Sequence, residues 1–290
     1  MIKTVLKFAL AVFVYTVVFS AANALLPFSQ GFKDLGAPSD PLGLVYVFIN
    51  SAWVCFAAFY IIRHTHHHGR KLIAGLAGVL FFVQVFMMQI ETMFFIGAFS
   101  GITVRDVVLI MAAGLLPLLA VVPLMAAFFQ CRDKAVIEKP RLDLKKTAVR
   151  LALIGIIYVC IYMAFGYFVA WQEVELRVFY SGAADKLSFL GQLANNVRTN
   201  PLIYPFQFVR GMLFGLFIIP LTFMIKNRAS FLASVCFVYL STATVLLIPN
   251  VLFPDMVRFA HLREMASSML LFALIAGRIL RGKDSEAVGV

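Results

Sequence analysis

Eight polar or ionisable side chains fall inside stretches that otherwise read as membrane interior: Gln84, Glu91, Gln207, Arg210, Arg258, His261, Glu264 and Ser268. Glutamate and histidine are the residue types of acid–base catalysis and metal ligation. Arginine holds carboxylates and phosphates through paired N–H donors, and glutamine and serine add neutral hydrogen bonds. A charged group costs about 2.5–3.5 kcal/mol at the centre of a membrane helix. Each therefore needs a partner, a proton or a ligand.

Spacing groups them. In "VQVFMMQIETMFF", Gln84 and Glu91 lie about two helical turns apart, which puts them with Met88 on one face and Thr92 beside it. In "NPLIYPFQFVRGMLFGLFIIP", Tyr204, Gln207 and Arg210 recur at every third position and share a side, while Gly211 and Gly215 form a G-x-x-x-G pair that admits a close neighbouring helix. Pro205 and Pro220 are expected to bend that span. "RFAHLREMASS" holds Arg258, His261, Glu264 and Ser268 within an arc of about 120°, with Arg263 pointing away.

The elements that must position these residues are set by composition. Hydrophobic residues make up 62% of the 290 and charged ones only 13%, against about 25% in soluble domains. The chain reads as an all-α polytopic transmembrane bundle, because its apolar runs are of helix-spanning length rather than the roughly ten-residue alternating strands of a barrel. Spans are expected at 4–27, 42–62, 72–97, 107–129, 150–171, 202–225, 230–250 and 256–280, in one domain. The 172–201 segment, with Leu187, Leu190 and Ala194 at helical spacing, is expected to hold a short interfacial helix. No internal repeat supports an inverted-repeat transporter.

The net charge of +11 does not indicate nucleic acid, because the basic residues cluster at span ends. Most of the 25 Lys and Arg fall on one side. They include Lys3, Lys7, Arg63, Arg70, Lys71, Arg132, Lys134, Lys139, Arg141, Lys145, Lys146, Arg150, Lys226, Arg228, Arg278, Arg281 and Lys283. The positive-inside rule then makes both termini cytoplasmic in a multi-pass cell-membrane protein. Residues 1–24 also resemble a cleavable secretory signal, with basic Lys3 and Lys7, an apolar run and a small-residue exit. The apolar run resumes at Leu25 and Leu26, so the segment is read as a retained span.

His64, His66, His67 and His68 are all but one of the five histidines, and their spacing in a short basic turn lacks the Cys or carboxylate partners of a closed metal site. Cys55, Cys160 and Cys236 within spans and Cys131 in a loop form no disulfide or metal framework and read as packing residues. No metal or cofactor is specified.

With this orientation Glu91, Gln207, Arg210 and the Arg258–Ser268 face all lie in the outer half of the bundle, joined by Asn50, Trp171, Gln172, Glu173 and Glu175. They imply a polar, outward-opening pocket over an apolar plug. Its expected use is to bind or translocate a lipid or small anionic amphiphile, with Arg210 and Arg258 on the head and Gln84, Gln207 and Ser268 lining the site. Two alternatives are an intramembrane hydrolase using His261 with Glu91 and Glu264, and an accessory subunit locked by buried ion pairs. A proton-coupled step through Glu91, His261 and Glu264 is a further class. Phe208-Val-Arg-Gly211, with His261 on a later span, resembles the CPBP intramembrane metalloproteases, in which a glutamate pair precedes Arg-Gly and later helices supply histidines. That resemblance implies metal-dependent proteolysis, but Pro205 and Phe206 occupy the places of the glutamate pair.

The orientation is testable by reporter fusions: a fusion after residue 281 is expected to be active only as a cytoplasmic reporter, and one inserted near residue 185 only as an exported one. The reverse pattern would invert the bundle.

Overall fold

The computed structural model describes residues 2–35, 40–130 and 143–281. Arg132, Lys134, Lys139, Arg141 and Cys131 of the expected basic loop, and Lys283, lie outside the described residues. The chain runs through α1 (Ile2–Leu25), α2 (Gln30–Asp34), α3 (Gly43–His64), α4 (Gly69–Leu80), a π-helical stretch (Phe81–Phe86), α5 (Met87–Phe94), α6 (Val104–Phe129), α7 (Leu144–Phe168), α8 (Val174–Ser181), α9 (Phe189–Thr199), α10 (Ile203–Met224), α11 (Arg228–Thr244) and α12 (Asp255–Leu280). Among the described residues, eight helical stretches are long and apolar enough to cross a membrane, with α4, the π stretch and α5 counting as one. Their limits fall within about three residues of those read from the sequence, except that α7 begins at Leu144 rather than near residue 150.

Three packing relations organise the bundle: α7 lies on α10 and α12, α11 on α12 and α3, and α1 on α6 and α3. The α4–π–α5 span threads between them and touches α6, α10 and α11. In lipid there is little hydrophobic drive between helices, so close backbone approach and interhelical hydrogen bonds decide which faces meet. Glycines supply the first. At Gly211 of α10 a Cβ would overlap Tyr158 Cβ and lie 2.9 Å from Gly155 Cα of α7, and at Gly215 it would press on Leu151 and Ile154. The G-x-x-x-G pair is therefore the seam of the α7–α10 contact.

Two polar fastenings fix the ends. At one, Thr65 Oγ1 and His66 N both donate to the Met224 carbonyl, at 2.9 and 3.0 Å, joining the α3–α4 turn to the end of α10. Within that histidine turn, burial, followed by the nearby Lys71 and His68, holds the His67 imidazole below its usual value. At the other end, Asp106 is fully buried and accepts from Ser29 N and Oγ and from Thr103 N and Oγ1 at 2.6–3.0 Å. It thus closes the capping box of α6 and anchors the N-cap of α2 at once. That anchor places Phe28 and Phe32 over the bundle end. The half nearer the histidine turn is an apolar core that includes Ile61, Leu72, Leu76, Leu80, Leu221 and Met224.

The 172–201 segment forms two short helices, α8 and α9. Gly182, at φ 71°, ends α8 in the left-handed conformation that glycine adopts without penalty. Gly211→Leu is expected to destabilise the bundle by about 1–3 kcal/mol through overpacking, read as a lowered melting temperature in detergent. Gly166→Ala, whose Cβ would meet nothing within 4 Å, should not lower it.

Candidate functional site

The π stretch determines how the central span presents its polar residues. Its wider turn, in which Met87 N–H reaches back to the Phe82 carbonyl, rotates the residues after it relative to those before it. Gln84 and Glu91, on one face in a regular α-helix, therefore serve different neighbours. Gln84 Nε2 donates to Asn50 Oδ1 of α3 at 3.4 Å, and Thr244 Oγ1 of α11 donates to the same oxygen at 2.9 Å. This is a buried tie among three helices. Glu91 instead turns toward α10.

Arg210 is the centre of that contact. Its side chain is 1% exposed, and its Nη2 lies 2.6 Å from Glu91 Oε2 in an ion pair. Nε donates to the Met87 carbonyl and Nη1 to Gln207 Oε1, both at 3.2 Å, while Gln207 Nε2 donates to Glu91 Oε1 at 3.2 Å. Tyr158 and Phe214 place ring faces 5.8 and 5.6 Å from the guanidinium. Charge, hydrogen bonds and aromatic faces together offset the cost of burying a cation.

The α12 stripe divides. Ser268 Oγ donates to Glu264 Oε1 at 3.2 Å. His261 Nδ1 lies 3.9 Å from Glu264 Oε2, and its Nε2 is hydrogen-bonded at 3.1 Å to the Tyr180 hydroxyl of α8. Arg258 turns the other way: it bonds Asp255 Oδ1 through Nε and Nη2, and the Leu246 and Leu247 carbonyls through Nη1, at 2.6–3.2 Å. These carbonyls lie in the 3-10 turn Val245–Leu247 that continues α11, at a helical C-terminal end where a cation is favoured. Arg258 thereby secures the connection from α11 to α12. Arg263, off the shared face as expected, pairs with Glu173 at 2.8 Å, and this hydrogen bond holds the Glu173 carboxyl below its usual range.

Two cavities meet at this cluster. The first, about 600 Å³, lies between α1, α2, α5, the α11–α12 connection and α12, and is walled by Phe19, Phe28, Phe32, Phe95, Phe99 and Phe253. The second, about 500 Å³, is bounded by α7, α8, α9 and the start of α10. Glu91, Phe95, Tyr180 and Glu264 line both and form the partition between them. His261 faces the first.

Of the expected site residues, Glu91, His261 and Glu264 reach the cavities. Gln207, Arg210 and Ser268 lie behind them as hydrogen-bonding and charge support. Gln84 and Arg258 belong to separate networks and line neither cavity. The headgroup role expected of Arg210 and Arg258 meets a physical obstacle, because both guanidiniums are 1% exposed and each is already ion-paired with a carboxylate. Tyr180 joins the site without having been expected from the sequence. Its one sequence signal is the Tyr-Ser-Gly end of α8, which marks a helix terminus but not what that helix faces.

Among the described residues no group of three or more His, Cys, Asp or Glu side chains assembles that could hold a metal ion, and this includes the histidine turn. The chain matches no family model, no curated protein and no solved structure. The short resemblance to CPBP metalloproteases thus has neither a family match nor an assembled ligand set behind it.

Removing one partner of a buried ion pair strands the other. Glu91→Ala is expected to cost about 3 kcal/mol, seen as a lowered melting temperature in detergent, whereas Glu91→Leu combined with Arg210→Met should recover most of it. A double variant no more stable than Glu91→Ala would show that the pair is not the unit.

Proposed function

We propose that this is an integral membrane protein that binds a lipid-like amphiphile in the paired cavities, with its apolar body among the phenylalanines and its polar head at the Glu91–Glu264–His261 wall. The observation that carries this reading is the shared partition: two largely apolar spaces meet at a few convergent polar groups, which is the composition of a small-molecule site. Together they offer about 600 and 500 Å³, room for a lipid-sized body. The distribution of Lys and Arg supports cytoplasmic termini, which directs the cavities toward the outer half of the cell membrane.

The anionic head anticipated from Arg210 and Arg258 is replaced in this reading, since neither arginine borders the cavities. Hydrolysis is disfavoured by the chemistry present. His261 is held by Tyr180, and 3.9 Å separates it from Glu264, beyond hydrogen-bond reach. Binding needs no such closure.

Native mass spectrometry of the protein released from lipid nanodiscs tests the proposal. The wild type is expected to retain an amphiphile, and Met265→Trp, which fills the first cavity, to carry about tenfold less at similar melting temperature. Equal retention by both would place any bound lipid on the outer surface of the bundle and end the proposal.

A further inference from the structure

Around the partition, Glu264 is the one carboxylate with no Lys or Arg partner among the described residues. Glu91 and Arg210 cancel each other at 2.6 Å. Arg258 is neutralised by Asp255 and carbonyl oxygens, and Arg263 by Glu173. Lys33 also lines the first cavity, as an exposed residue. Glu264 is left with a side chain only 8% exposed. Its Oε1 accepts from Ser268, and among the described residues its Oε2 accepts no hydrogen bond, with the His261 imidazole 3.9 Å away. An ionised carboxylate so placed is costly unless something positive or a proton-bearing donor reaches that open oxygen.

The surroundings select what can reach it. Six phenylalanines wall the cavity that Glu264 faces, and Phe253 and Tyr180 lie 5.3 and 5.8 Å, ring centre to ring centre, from His261 beside it. Aromatic faces carry negative quadrupoles and attract organic cations, while their area accommodates alkyl chains. An anionic head would meet two carboxylates with no available guanidinium, and a small hydrated metal cation would find no ligand set among the described residues. A protonated alkylamine satisfies each feature: its N–H donates to Glu264 Oε2, its charge meets the carboxylate and the ring faces, and its chain extends along the apolar wall.

From this geometry we infer that Glu264 is the recognition carboxylate for an alkylammonium amphiphile, its ammonium at the partition and its chain in the phenylalanine-lined cavity. The inference rests on the amphiphile-binding reading and adds the charge and donor chemistry of the head. It also gives the Glu91–Arg210 pair a role in selectivity: by neutralising Arg210, Glu91 prevents a buried cation from repelling the ligand.

Isothermal titration of the full chain in a neutral detergent, with dodecylammonium, dodecanoate and dodecanol as probes, tests it. Dodecylammonium is expected to bind at least about tenfold more tightly than either probe of equal chain length, and Glu264→Gln to remove that preference. The net charge of +11 draws dodecanoate to the molecule as a whole, so an ammonium preference runs against the general field. Equal binding of all three probes by the wild type would overturn the ammonium inference and leave the amphiphile reading standing. Saturable binding of none would overturn both. An undiminished preference in a folded Glu264→Gln would reject Glu264 as the recognising group, and the wild-type comparison decides the ligand class even if the variant does not fold.

Discussion

A guanidinium buried to 1% exposure, between a carboxylate and two aromatic rings, sets the terms for the rest of this bundle. Arg210 can occupy the interior only because Glu91 stands 2.6 Å away, Gln207 bridges the two residues and the Met87 carbonyl accepts its Nε. Each partner comes from a feature that would otherwise look unrelated. The π stretch turns Glu91 and Met87 toward α10, and the glycine seam brings α10 close enough to α7 for Tyr158 to cover the cation. Since lipid gives helices little reason to associate through apolar area alone, such a pair contributes registry as well as energy.

The same pair shapes the cavities. Glu91 is 20% exposed, so its carboxylate faces both the arginine and the open space. Opposite it stands Glu264, supported by Ser268, with His261 and Tyr180 completing the wall. Away from these groups the lining is dominated by aromatic and aliphatic side chains. The ends are secured by other means, with Asp106 tying α2 to α6 and Arg258 binding the carbonyls of the turn that follows α11. These fastenings hold in place the short elements that roof the first cavity.

Much of this is legible in the sequence because membrane spans are long and strongly marked. The eight stretches, the face shared by His261, Glu264 and Ser268, the divergence of Arg263 and the close packing at Gly211 and Gly215 all arise from regular helical geometry. The features that escape it depend on departures from that geometry. A rotation at residues 81–86 carries no marker in "FFVQVF", so spacing alone groups Gln84 with Glu91 although it serves Asn50. Arg258 has the right spacing to share the face of His261. Its long side chain instead reaches back to the carbonyls of Leu246 and Leu247, a choice set by where α11 ends in space. Tyr180 and the phenylalanine walls come together only through tertiary contacts between segments distant in the chain.

The central claim is that the space beside Glu91 and Glu264 is a ligand site rather than a packing remainder. A high-resolution cryo-electron microscopy structure of the protein in native lipid nanodiscs tests this directly. An elongated density is expected along the phenylalanine wall, ending within about 3 Å of Glu264 Oε2. A first cavity closed by the side chains of α1, α5 and α12, or filled with water alone, would contradict it.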